Sequence, residues 1–165
     1  MRIIRKAKRL LNKLVSFLEK ANVLVVIGMG NELRADDAVG LQVIRLLKPF
    51  MNDRFKVFEG HMTPEVFIGP ACASHPTHVL IVDAAELHQT PGSWKVLLPA
   101  DVEQGLFTTH TIPALEVVAE IQRRCGASVI FLGIEPKSRD IFLGLSKECK
   151  QAAEELARII RETIS

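Results

Sequence analysis

The feature that most constrains this chain is the apolar run Val23-Leu24-Val25-Val26-Ile27, which ends at Gly28-Met29-Gly30 and feeds a helical pattern. A run apolar at every position, rather than at alternate ones, reads as a strand covered on both faces. The pattern then repeats. Strand 22–28 is followed by helix 37–49, a strand near 55–59 by a short helix after Thr63-Pro64, and strand 78–83 by a weaker strand at Trp94–Leu98. A helix near 112–124, strand 128–134 and a long helix 147–163 follow, the last with Ser146 as N-cap. Alternating β and α elements predict a three-layer α/β/α domain around a mainly parallel sheet. No repeat, low-complexity stretch or linker divides residues 1–165, so a single domain is expected.

Residues 2–18 set Ile3, Ile4, Ala7, Leu10, Leu11, Leu14, Val15 and Leu18 at helical spacing, with basic residues opposite. Residues 1–20 thus read as a basic amphipathic helix appended to an α/β core at 21–165. Asn12 and Lys13 interrupt any signal-peptide core. Packing on its own domain or a second subunit is the plainer role; a partner or an anionic membrane surface is the other. Seven basic side chains and one acid fall in this segment, leaving fourteen basic and eighteen acidic side chains and a net −4 on residues 21–165. That balance argues against nucleic acid as a partner of the main domain. Cys72, Cys125 and Cys149 lack C-x-x-C spacing and cannot all pair. They read as reduced, mostly buried thiols of a cytoplasmic protein.

The turn after the first strand carries chemistry. In Gly28-Met29-Gly30-Asn31-Glu32-Leu33-Arg34-Ala35-Asp36-Asp37, leucine occupies the third glycine position of a dinucleotide fingerprint, and no phosphate-binding lysine follows. Two carboxylates would also repel a phosphate. The loop suits a cation or proton transfer at the carboxyl end of a strand. Asp83 ends the apolar Leu80-Ile81-Val82, and His110 lies in Phe107-Thr108-Thr109-His110-Thr111-Ile112-Pro113 at a helix start. The positive end of a helix dipole disfavours imidazolium there and promotes the neutral, metal-binding ring. Two carboxylates and an imidazole suit Ni, Zn, Fe or Mn rather than Cu(I). Structural roles compete at each position: Asp36 or Asp37 as a helix cap, Asp83 capping a turn, His110 bracing its loop.

These blocks, with Leu80-Ile81-Val82-Asp83-Ala84-Ala85-Glu86, Pro91-Gly92 and Val129-Ile130-Phe131-Leu132-Gly133-Ile134-Glu135-Pro136, resemble the nickel–iron hydrogenase maturation endopeptidases, the hydrogenase 3-type branch above all. The resemblance implies a twisted five-stranded sheet of order 2-1-3-5-4, phosphorylase/hydrolase-like, with strand 4 antiparallel. It implies a metal site of Asp37, Asp83 and His110, with residues 99–109 as a long mobile connection delivering His110. It further implies a cytoplasmic protease that trims the C-terminal extension of a hydrogenase large-subunit precursor. Nickel would be supplied by that substrate, with no permanently bound organic cofactor. Either nickel polarises the scissile carbonyl while a carboxylate activates water, for which Asp36 beside Asp37 is the expected base, or nickel only positions the peptide and the carboxylates do the acid–base work. A non-catalytic nickel-sensing chaperone on the same fold is the alternative. Where the family carries an Asp-Gly-Gly-like turn after the second strand, this chain reads Glu59-Gly60-His61.

Overall fold

The structure, a computed structural model, describes residues 2–103 and 111–165. Helix α1 (Arg2–Glu19) leads into β1 (Leu24–Met29), a 3-10 turn (Ala35–Ala38) and α2 (Val39–Leu47). Then come β2 (Phe55–His61), α3 (Ile68–Ala73), β3 (His78–Ala84), β4 (Trp94–Leu97) and α4 (Pro99–Glu103). α5 (Thr111–Cys125), β5 (Ser128–Ile134) and α6 (Lys147–Ile164) complete the described chain.

The sheet order is β2-β1-β3-β5-β4, parallel except for β4 against β5, as the resemblance implies. All six residues of β1 are buried, as are the last six of β3 and of β5. Their alternate side chains feed two separate apolar layers. Val26, Leu80 and Leu132 point into one, with α2 and α6; Val25, Ile81 and Phe131 point into the other, with α3 and α5. Burial on both faces is what an uninterrupted apolar strand requires.

α1 packs against α6 and β4 and buries Leu14 and Leu18 in the first of these layers. Leu14 and Leu18 thus serve packing of the helix on its own domain. Burying two leucines contributes on the order of 3–5 kcal/mol of transfer free energy before chain entropy is subtracted.

Three local features depart from expectation. The helix anticipated at 37–49 is divided into the 3-10 turn, α2 and a second 3-10 turn at Lys48–Phe50, where Pro49 ends α-helical bonding. β2 runs two residues past its expected end. Its register with β1 jumps from Gly28↔Glu59 to Met29↔His61, so Gly60 is bulged out and pairing resumes beyond it. α4 stands where only a climbing connection was expected. Asp101 Oδ2 accepts the Leu98 N–H at 2.8 Å, satisfying a donor at its start, and Pro99 opens the helix. The rest of that connection, including His110, lies outside the described residues.

Candidate functional site

The carboxyl ends of β1 and β3 form one corner of the molecule, built by close backbone approach. A Cβ at Gly28 would collide with the Gly40 carbonyl and Ile44, and one at Gly40 with the Met29 and Val82 carbonyls. The start of α2 therefore lies directly on the ends of both strands. Asp37 precedes Gly40 by three residues and Asp83 follows Val82 by one, so both carboxylates are delivered to this corner. Asp37 is 5% exposed and Asp83 fully buried. Asp83 Oδ1 accepts the N–H of Ala84 at 2.9 Å. Gly30, with φ +150°, turns the chain out of β1 where any side chain would strike the Asp37 carbonyl.

Asp36 faces a different task from its neighbour. It is fully buried, and both its oxygens are used. Oδ1 accepts the N–H of Ser146 at 2.7 Å; Oδ2 accepts those of Lys137 at 2.8 Å and Ser138 at 3.2 Å. In return the Asp36 N–H donates to the Ser138 carbonyl at 3.0 Å. Burial by itself would raise the Asp36 pKa, but these backbone donors, Ser146 and Lys137 foremost, outweigh it and hold the carboxyl below its ordinary value. A carboxylate so engaged is a weak base. Its visible work is to tie the loop between β5 and α6 to the 3-10 turn.

Glu135, at the start of that loop, was not singled out in the sequence for a role of its own. Its Oε2 accepts the N–H groups of Leu87 at 2.7 Å and Gln89 at 3.2 Å, fixing the segment that follows Asp83. The signal was a carboxylate directly after a fully buried strand. The same loop carries Ile141, Phe142 and Leu143, all exposed, beside exposed Leu33, whose carbonyl accepts the Phe142 N–H at 2.8 Å. A one-sided apolar lip thus borders the corner.

On the other side, Arg45 bridges Glu32 and Glu59 (3.0 Å to the latter), and His61 Nε2 stands 3.8 Å from Glu59 Oε2. His61 adopts φ +50°, the left-handed conformation that glycine takes most easily. The Arg45 hydrogen bond holds Glu32 below the ordinary carboxylate value.

The 3-10 turn carrying Asp37 thus packs against β3, which carries Asp83, and Asp36 is drawn into the loop anchor. His110 lies outside the described residues, directly before the first residue of α5. Among the described residues no cluster of three or more His, Cys, Asp or Glu side chains is placed to hold a metal ion. Carboxylates are hard oxygen donors of the kind that suit a divalent cation. Cys149 is buried, and burial pushes its thiol up to about 11; burial does the same to Cys72. Neither is a ready nucleophile at neutral pH. No described helix is long and apolar enough to cross a membrane.

A model of the hydrogenase maturation protease family matches residues 41–163. A putative hydrogenase maturation protease of Methanocaldococcus jannaschii is 32% identical over 159 residues, spanning 92% of this chain and 94% of that protein. The hydrogenase 3 maturation protease of Escherichia coli is 29% identical over 131 residues, 79% of this chain and 83% of its own length. In three dimensions, the crystal structure of the NiFe hydrogenase maturation protease HycI from Thermococcus kodakarensis superposes with a TM-score of 0.85 at 27% identity, covering 92% of this chain and 98% of that one.

Proposed function

The chain belongs to the hydrogenase maturation protease family, and from that premise we propose that it removes a C-terminal extension from a NiFe-hydrogenase large-subunit precursor only after nickel is in place. What supports this reading is that the 3-10 turn carrying Asp37 packs against β3, the strand carrying Asp83, where α2 begins on the strand ends. With His110, Asp37 and Asp83 would meet nickel held by the precursor's own cysteines. The metal arrives as part of the substrate, which makes cleavage conditional on a loaded centre.

A site of this kind binds free metal weakly, because three protein donors await completion by the substrate. Nickel can orient the peptide and polarise the scissile carbonyl. Proton transfer to and from the attacking water falls to Asp37 and Asp83, not to Asp36, whose oxygens are committed to three backbone N–H groups. Asp36 acts instead by holding the Leu33–Phe142 lip beside the corner. The protein works in the cytoplasm, where the precursor is assembled.

The test is to incubate the protein with nickel-loaded and nickel-free precursor and to read intact mass. Loss of a C-terminal peptide from the loaded form alone, abolished by Asp37→Asn and by His110→Ala, is expected. Tight binding of loaded precursor with no mass loss would instead identify a nickel-sensing chaperone. Cleavage of both forms alike would remove nickel from the reaction.

A further inference from the structure

Cys72 and Cys125 lie 53 residues apart in sequence, on α3 and α5, yet their sulfurs stand 2.7 Å from each other. Two thiols at ordinary contact sit much further apart, and a disulfide closes the separation to about 2.05 Å. Both residues are half-buried, so a small oxidant can reach them. In the thiol form, the Cys125 sulfur donates to the Ile121 carbonyl at 3.1 Å, which leaves the Cys72 thiol to donate to the Cys125 sulfur. All three cysteines are free thiols, as the sequence leads one to expect, and their spacing gave no sign that two of them meet.

We propose that Cys72 and Cys125 are a disulfide-forming pair, a redox-dependent staple joining the two helices that cover one face of the sheet. In the presence of a low-molecular-weight disulfide, one cysteine thiolate attacks it and releases one small thiol. The second cysteine thiolate then attacks the mixed disulfide and releases the other. The two protein thiols are oxidised, the small disulfide is reduced to two thiols, and the two cysteine protons pass to the departing thiolates. Burial first, and then the neighbouring Cys125 sulfur, raise the Cys72 thiol to about 11, so attack by Cys72 is slow at neutral pH and faster in mild alkali. Cys149 takes no part: it is buried in the opposite layer, with its thiol directed to the Glu135 carbonyl.

The staple would close a loop spanning β3, β4 and α4, so it constrains the unfolded chain strongly. It also ties α5, which begins directly after His110, to α3, which follows the Glu59-Gly60-His61 turn. The inference does not depend on the reading of the site as a protease.

The experiment equilibrates the full chain with glutathione disulfide at pH 8.5, then alkylates under denaturing conditions and maps peptides by mass. Alkylatable thiols are expected to fall from three to one, with the Cys72 peptide linked to the Cys125 peptide and the melting temperature raised by on the order of 10 °C. Dithiothreitol should restore both values. Cys72→Ser and Cys125→Ser should each remain unlinked and insensitive to dithiothreitol. Three free thiols after equilibration, glutathione retained on either cysteine, or a link to Cys149 would each overturn the pairing.

Discussion

Two groups of charged side chains border the same corner and are built on opposite principles. Around Asp36 one carboxylate is fully buried and bonded by three backbone N–H groups reached across about a hundred residues of sequence. Around Arg45, Glu32 and Glu59 are held by one guanidinium, and the Arg45 and Glu32 side chains are 41% and 49% exposed. A buried ion whose hydrogen-bonding capacity is filled by fixed dipoles cannot be exchanged for solvent without loss. An exposed pair exchanges with water and salt at little cost. The first arrangement fixes backbone; the second decorates a rim.

The sharpest way to break the contrast is to empty the buried side. Asp36→Ala leaves three backbone donors without their acceptor and is expected to destabilise the fold by about 3 kcal/mol, since unpaired buried donors cost roughly 1–3 kcal/mol each and water recovers part of the loss. Urea unfolding of the variant measures it; a change below about 1 kcal/mol would reduce Asp36 to the status of a rim residue. Gly40→Ala tests the backbone packing that supports the same corner. Its Cβ would strike two carbonyl oxygens, on Met29 and Val82, neither on a flexible side chain. A loss of about 1–3 kcal/mol is expected, together with loss of precursor processing as α2 is pushed off the strand ends.

The difference between the two groups also explains what the sequence revealed. The fold was legible because the alternation of buried strands and amphipathic helices is a local signal, and β1, β3, β5 and α6 lie within two residues of their expected bounds. Asp83 stood out because a carboxylate ending an apolar run is anomalous wherever the sheet goes, and Asp37 because the glycine turn after the first strand carries two adjacent carboxylates. The true task of Asp36 was hidden: its partners Lys137, Ser138 and Ser146 contribute backbone N–H groups, which carry no residue signature. The same holds for Cys72 and Cys125, whose proximity is set by how α3 and α5 pack and not by their spacing. His61 shows the reverse case, in which a residue other than glycine stands in a left-handed conformation that the sequence did not announce.

Acid should dissolve the contrast from the buried side. The Asp36 pKa is depressed in the folded state, so its contribution is complete above the unfolded carboxyl's ordinary value of 3.8 and is lost as pH falls through the folded value. The stability gap between the native chain and Asp36→Asn should therefore be constant from pH 7 to 5 and narrow below about pH 4. Parallel denaturation curves at pH 6, 4 and 3 measure it, and a gap unchanged at pH 3 would mean that the carboxylate's charge does not contribute.

The rim gives the smallest effect. Removing Arg45 should cost at most about 1 kcal/mol, because exposed ion pairs gain little over their hydrated forms. That loss should shrink further in 0.5 M salt, where screening already weakens the pairs with Glu32 and Glu59. Glu32 would then titrate at higher pH than in the native chain, since the Arg45 hydrogen bond is the leading cause of its depression, and carboxyl chemical shifts followed through an acid titration would register the change. A loss of several kcal/mol, independent of salt, would show that Arg45 braces the β2 bulge as firmly as Asp36 braces the opposite loop. The two sides of the corner would then be equivalent in rigidity despite their difference in exposure.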